Sequence, residues 1–165
     1  MKHKLIHKIV TALVLVTSIY AQDSVVHFNL PSLYNQSNKI SNNTLRGKVV
    51  LINVWASWCS GCKEEMPLFV DLQREFKNNK FEILLSNIDS DSKNARDFLA
   101  YVDKKKVLTC VYDKDKRLAK AFHAIGMPSS YLIDQNGQII ESYIGSLDKE
   151  KIFILQKKIH QLLGK

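Results

Sequence analysis

The sequence of 165 residues has few cysteines, prolines and glycines: three, three and six, respectively. No internal repeat and no linker divides the chain, so its length favours one domain with a full hydrophobic core. The longest apolar run is shorter than the roughly 20 residues that a membrane-spanning helix needs. These absences exclude a low-complexity chain, a repeat protein and a scaffold held together by many disulfides.

The chain is basic, with a formal net charge of +8. Three of its lysines lie in residues 1–21, which contain no acid, and the remaining excess is scattered over the predicted helices. The basic residues are not interleaved with aromatic residues and form no known nucleic-acid-binding module. We therefore predict no nucleic-acid partner and interpret the charge as solvated surface, with weak attraction to an anionic membrane face.

The N-terminus has the marks of a secretory signal peptide. Three lysines precede an apolar run, residues 9–20, which ends at the small residue Ala21. Because the run is short for a membrane span, we predict that residues 1–21 are a cleaved signal and residues 22–165 the mature domain. An uncleaved anchor in the inner membrane is the alternative. In both cases the sequence predicts a domain that works in the periplasm of a bacterium.

The order of periodic segments predicts an α/β fold. Residues 49–54 form a β-branched apolar run typical of a buried parallel strand, and helical spacing follows over residues 60–76. The early helical crossovers predict parallel strands, and Asn136-Gly137 predicts a hairpin with an antiparallel edge. The further predicted strands are 81–88, 107–112, 130–133 and 139–144, the further helices lie at about 95–102, 117–123 and 147–163, and residues 22–46 favour a strand or hairpin laid over the core.

Two of the three cysteines form Cys59-Ser60-Gly61-Cys62 at the predicted start of a helix. The first thiol then lies beside unpaired backbone N–H groups at the positive end of the helix dipole, which lowers its pKa. The second thiol lies about one turn away, so Cys59 can attack a client disulfide and Cys62 can resolve the mixed disulfide. Because Ser60 and Gly61 add no charge, the pair favours a reductant over an oxidant.

A Cys-x-x-Cys also occurs as half of a zinc site, which needs a second cysteine pair or paired histidines. The sequence has no second pair, and His27, His123 and His160 are scattered, so we predict no metal and no other cofactor. Cys110 stands alone in a predicted strand, where a free cysteine commonly behaves as a small buried hydrophobe. The sequence therefore predicts redox chemistry at the pair and a structural role for Cys110.

Two segments resemble the TlpA/ResA-like thioredoxin family. Residues 47–67 contain Trp55-Ala56-Ser57-Trp58 directly ahead of the cysteine pair, and residues 126–134 begin with Gly126-Met127-Pro128. The likeness extends from about Val26 to the C-terminus. It implies a thioredoxin-like fold with a mixed central sheet flanked by helices, an inserted helix and strand at about 92–112, and an N-terminal extension.

The resemblance also implies roles for individual residues. Cys59 matches the exposed nucleophile, and Cys62 matches the buried resolving thiol. Pro128 matches a cis-proline opposite them, and Met127 beside it offers backbone groups to an extended client. Glu65 matches an acidic residue that tunes the thiols.

The spacing agrees in part with that role of Glu65. It lies one helical turn past Cys62, where a half-buried carboxylate can take the proton of the resolving thiol. A solvated first-turn acid that favours the helix dipole is the alternative. Asn53 stands in place of the buried aspartate of ordinary thioredoxin. We expect Trp58 to pack beside the thiols, where it contributes to client binding, and Trp55 to lie in the core.

Together these features predict an enzyme, a thiol–disulfide oxidoreductase. Members of the resembled family are extracytoplasmic, and many reduce disulfides, often in apocytochrome c before haem attachment. We therefore expect a periplasmic reductase of client disulfides, fed by a membrane thiol carrier and acting as a monomer. A disulfide-forming oxidase and a thiol-based copper or zinc chaperone are the alternatives. Ser129, and a dipeptide without proline between the cysteines, differ from the CcmG or DsbE subfamily of cytochrome maturation.

Overall fold

A computed structural model describes residues 26–77 and 80–164 of the chain. The predicted signal, residues 1–21, lies outside the described residues. Within the described ranges, no helix is both long enough and apolar enough to cross a membrane.

The described residues form seven strands and five helices. In chain order these are β1 (Asn29–Pro31), β2 (Lys39–Ser41), α1 (Asn42–Leu45), β3 (Val49–Trp55), α2 (Ser60–Glu75), β4 (Phe81–Asn87), α3 (Ser92–Val102), β5 (Thr109–Tyr112), α4 (Arg117–Ala121), β6 (Ser129–Ile133), β7 (Ile139–Ile144) and α5 (Lys149–Leu162).

A five-stranded sheet in the order β5-β4-β3-β6-β7 forms the centre of the fold. β3 is parallel to β4 and β4 to β5, whereas β6 is antiparallel to both β3 and β7. This arrangement confirms the predicted parallel half and the predicted hairpin edge. Gly137 in the β6–β7 turn has a φ of 88°, which glycine adopts without the steric cost of a side chain.

Strand β3 is buried along its whole length and separates two hydrophobic clusters. Its side chains alternate between the two faces of the sheet, as the period of a strand requires. One face packs against Met66 and Phe69 of α2, and the other packs against Leu118 of α4. The residues on the first face include Val49, Leu51 and Trp55, and those on the second are Val50, Ile52 and Val54.

The segment ahead of β3 forms a small antiparallel hairpin of β1 and β2. Ser32 bridges to Val111, and the N–H of Leu33 donates to the carbonyl of Cys110 at 2.9 Å. The hairpin agrees with the strand or hairpin predicted for residues 22–46, and these contacts place it beside β5, at the edge of the sheet.

Some element ends differ from the predicted ones by one or two residues. β5 begins at Thr109 rather than at residue 107, because the buried carboxylate of Asp103 accepts the N–H groups of Val107 and Leu108 at 3.0 and 2.9 Å. The last helix begins after Asp148, whose side chain caps it.

Candidate active site

The cysteine pair lies where β3 passes into α2. Cys59 is the N-cap of α2, and its Sγ accepts the N–H of Cys62 at 3.2 Å. The two Sγ atoms form a disulfide, 2.10 Å apart. Cys62 is fully buried and Cys59 is half-buried. Cys59 is therefore the sulfur that another molecule can reach.

The loop that precedes β6 lies against the cysteine pair. The Met127–Pro128 peptide bond is cis, Pro128 is buried and Met127 is half-buried. The Cδ atom of Pro128 lies 3.6 Å from the point that a Cβ on Gly61 would occupy. The structure thus brings Pro128 and the Cys-x-x-Cys dipeptide together, although they are far apart in sequence.

A second loop, residues 145–147, closes over the same dipeptide. A Cβ added to Gly61 would lie 2.4 Å from Oγ of Ser146, closer than non-bonded atoms approach. The N–H of Gly145 donates to the carbonyl of Pro128 at 2.9 Å, which joins the two loops. Glycine at position 61 therefore allows this loop to approach, a constraint that the sequence did not reveal because Ser146 belongs to no motif.

Glu65 is a buried carboxyl on the inner side of α2, 1% exposed. Nδ2 of Asn53 donates to Oε1 at 2.8 Å, and the N–H of Leu147 donates to Oε2 at 2.9 Å. Burial raises the pKa of Glu65 to about 7, against the opposing effects of these two hydrogen bonds and of Lys151. The expectation of a half-buried carboxylate understated its burial, and the alternative of a solvated first-turn acid is wrong.

Asn53 connects Glu65 to the neighbouring strand. Its Nδ2 also donates to Oγ of Ser130 at 2.9 Å, and both side chains are completely buried. The two residues are partners in the β3–β6 register. Ser130 was not predicted as a site residue, and the signal that could have found it is this pairing of strands.

The two tryptophans ahead of the pair have opposite surroundings. Trp55 is completely buried and contacts the ring of Phe98, as expected for a core residue. Trp58 is 66% exposed, so its indole faces solvent beside Cys59 instead of packing in the protein. Ile125, three residues before Pro128, is 83% exposed, and Ile144, which pairs with Ser129 in the β6–β7 register, is 62% exposed. We call Trp58, Ile125 and Ile144 the apolar collar.

The third cysteine, Cys110, is not part of the disulfide. Cys110 is a buried free cysteine, and burial raises the pKa of its thiol, so it stays protonated. In the part of the chain that the structure describes, no three His, Cys, Asp or Glu side chains lie close enough together to hold a metal ion.

Comparison with known sequences gives matches along most of the chain. The Redoxin family model matches residues 20–157. Thiol-disulfide oxidoreductase ResA of Bacillus thuringiensis subsp. konkukian is 31% identical over 124 residues, which are 75% of this chain and 70% of that protein. ResA of Oceanobacillus iheyensis is 32% identical over 134 residues, 79% of this chain and 68% of that protein.

Solved structures with a similar fold also match most of the chain. A putative thiol:disulfide interchange protein DsbE from Chlorobium tepidum has a TM-score of 0.76 at 28% identity, covering 85% of this chain and 95% of that one. A putative thioredoxin from Neisseria meningitidis has a TM-score of 0.71 at 32% identity, covering 84% and 90%. These matches confirm the thioredoxin-like fold and the resemblance predicted from the two motifs.

Proposed function

The chain belongs to the Redoxin family and is a thiol–disulfide oxidoreductase, and on this premise we propose that it reduces the disulfides of client proteins in the periplasm. The observation that carries the proposal is the Cys59–Cys62 disulfide at the start of α2, with one sulfur accessible and the other enclosed. This asymmetry supports the proposal that Cys59 attacks and Cys62 resolves.

The proposed reaction moves two electrons from the cysteine pair to the client. The Cys59 thiolate attacks one sulfur of the client disulfide, forms a mixed disulfide and releases the first client thiolate. The Cys62 thiolate then attacks Sγ of Cys59, which closes the Cys59–Cys62 disulfide and releases the second client thiolate. A membrane thiol carrier then reduces the pair: one carrier thiolate attacks Sγ of Cys59 and releases the Cys62 thiolate, and a second carrier thiolate releases Cys59 and leaves the carrier as a disulfide.

Glu65 is proposed to take the proton of Cys62 before the second attack. Glu65 and Cys62 are both buried residues of α2, one helical turn apart. A base works best when its pKa lies near the working pH, and burial brings the pKa of Glu65 to about 7. Asn53 and the N–H of Leu147 hold the carboxylate in place.

The client is proposed to bind as an extended segment across the apolar collar. Met127 would offer its backbone to this segment beside Pro128, and the exposed indole of Trp58 would cover residues next to the client cysteine. A cavity of about 450 Å³ opens at the other end of the sheet, beside Leu45, Val50 and Ile133, so it does not compete for this role. Cysteines of apocytochrome c are the client class that the family resemblance favours.

The periplasmic location is supported by the basic and apolar composition of residues 1–21. A reductase in that compartment needs a supply of electrons from the membrane, because the periplasm is kept oxidising. The membrane thiol carrier is therefore part of the proposal.

The reduction potential of the pair tests the direction of the reaction. We expect a value nearer to the ~−270 mV of thioredoxin than to the ~−120 mV of DsbA, because Ser60 and Gly61 add no charge that stabilises a thiolate. The protein is equilibrated in thiol buffers of known potential, and the fluorescence of Trp58 reports the reduced fraction. A value nearer to ~−120 mV would contradict the reductase and assign the chain to disulfide formation.

Replacing Trp58 by alanine is expected to weaken client binding without loss of stability. The indole is 66% exposed, so its removal leaves no cavity in the core. Loss of an aromatic anchor from an interface typically costs more than 1 kcal/mol, so we expect KM for a client peptide disulfide to rise roughly 10-fold. Tyr101→Ala is the matched control, since Tyr101 is an exposed aromatic residue on α3. Equal KM values for the two variants would exclude Trp58 from client binding.

A further inference from the structure

A buried carboxylate outside the thiol site holds the loop that leads to the nucleophile. Asp89 follows the end of β4 and is 3% exposed. Its two oxygens, Oδ1 and Oδ2, lie 3.0 and 3.2 Å from the backbone nitrogen of Ser57, and Oδ2 also accepts Nδ2 of Asn87 at 3.2 Å. In all three contacts the carboxylate is the acceptor, and the donors belong to the loop and to β4.

Ser57 belongs to the short connection, residues 56–58, between β3 and Cys59. The strand end is fixed because the N–H of Ile88 donates to the carbonyl of Trp55 at 3.0 Å. The other end is fixed because the N–H of Cys59 donates to the carbonyl of Ala56 at 3.2 Å. The N–H of Ser57 lies between these two anchors, so the loop is attached to the end of β4 at its centre through Asp89.

We propose that Asp89 is a positioning residue for thiol–disulfide exchange: by accepting the N–H of Ser57, it fixes the direction from which Sγ of Cys59 meets the client disulfide. This proposal rests on the proposed role of Cys59 as the attacking thiol. Asp89 acts through the loop, because its carboxylate is hydrogen-bonded to Ser57 and Asn87 and to neither cysteine. Thiol–disulfide exchange requires the attacking sulfur to line up with the bond that it breaks, so a loosened loop slows the reaction while the thiol remains present.

The hydrogen-bond acceptor, not the negative charge, is the functional part of Asp89. A negative charge behind the loop would by itself oppose formation of the Cys59 thiolate. Asparagine keeps one oxygen for the N–H of Ser57 but removes the charge and the acceptor for Nδ2 of Asn87, whereas alanine removes the charge and both acceptors. The two variants therefore separate the two effects.

The test compares Asp89→Ala, Asp89→Asn and a matched control, Asp113→Ala. Asp113 is a buried carboxylate at the same end of the sheet, but it accepts hydrogen bonds from Oγ of Ser86 and from the N–H groups of Arg117 and Leu118 at the start of α4, and none from residues 56–58. In the reduced proteins, the rate constant for alkylation of Cys59 by iodoacetamide is measured across the pH range in which thiols titrate. Reduction of a client peptide disulfide is measured in parallel, well below each melting temperature.

We expect the Asp89→Ala variant to reduce the client disulfide at a roughly 10-fold lower rate than the wild type, which lies within the ~100-fold loss that a misplacement of about 1 Å can cause. We also expect the pH midpoint of Cys59 alkylation to shift in this variant. Asp89→Asn should stay within about 3-fold of the wild type, and Asp113→Ala should lose stability without a change at Cys59. Equal effects of Asp89→Ala and Asp89→Asn would overturn the proposal in favour of a charge effect. A lower melting temperature of Asp89→Ala with an unchanged rate and pH profile would overturn it in favour of a purely structural role.

Two features keep the test decisive. If Asp89→Ala does not fold, Asp89→Asn decides alone: protection of the Ser57 amide from hydrogen exchange and the rate should be kept together or lost together, and loss of one without the other overturns the proposal. If the wild-type protein does not reduce client disulfides, the proposed function fails. The alkylation of Cys59 still measures the effect of Asp89 on that thiol.

Discussion

Replacing Cys62 by serine is expected to stop turnover and to leave the client covalently attached to Cys59. The accessible sulfur of Cys59 can still attack a client disulfide, but the buried sulfur that closes the pair is gone. Turnover should fall to the uncatalysed level, while a mixed disulfide accumulates in proportion to the protein added. Non-reducing electrophoresis and mass spectrometry of the adduct measure both results.

Two control variants separate this mechanism from general damage. Cys59→Ser should give neither turnover nor adduct, because Cys62 is fully buried and cannot meet a client. Cys110→Ala should keep turnover close to that of the wild type, since this buried thiol lies in β5 and is not part of the disulfide. A stable adduct through Cys62 in the Cys59→Ser variant would reverse the assigned roles.

The parts of the fold that the sequence predicted correctly depend on local patterns. The apolar run that became β3, the helix that follows the cysteine pair and the turn at Asn136-Gly137 each have their cause within a few neighbouring residues. Burial of Trp55 follows from its place on that strand. Patterns of this kind can be read without knowledge of the rest of the chain.

The surroundings of the thiols depend instead on contacts between distant segments. Leu147 reaches Glu65 across 82 residues, Ser130 reaches Asn53 across 77, and Asp89 reaches Ser57 across 32. Each contact exists because sheet register and loop packing bring the two segments together, and no spacing within a single segment encodes it. The burial of Glu65 was underestimated for this reason: the loop at residues 145–147 that covers it lies far along the chain.

The same distant contacts explain the second large effect that we expect, at Glu65. An ordinary glutamate, as in the unfolded chain, releases its proton near pH 4.5, whereas burial raises the pKa of Glu65 in the folded protein to about 7. Between these values the folded state binds more protons than the unfolded state, so the free energy of unfolding falls as the pH rises. In total the free energy of unfolding decreases by roughly 3 kcal/mol. The decrease begins above about pH 4.5 and is complete above about pH 7.

Replacing Glu65 by glutamine should remove this dependence, since glutamine does not titrate. Urea denaturation of the oxidised protein at a series of pH values measures it, and the expected result is a flatter profile for Glu65→Gln than for the wild type. Glu64→Gln is the matched control, because Glu64 is an exposed carboxylate on the same helix and should leave the profile unchanged. Parallel profiles for Glu65→Gln and the wild type would show that Glu65 ionises normally.

The same variant should slow the closing of the Cys59–Cys62 pair. A positioned base contributes about 10²–10⁴-fold to a proton transfer, so we expect the release of client from the mixed disulfide to slow roughly 100-fold near pH 7. In the wild type this rate should increase as the pH rises through about 7, where Glu65 becomes able to accept the proton of Cys62. Stopped-flow measurement of client release gives the profile. If Glu65→Gln keeps the inflection near pH 7, another group accepts the proton, and Glu65 only holds the loop at Leu147 in place.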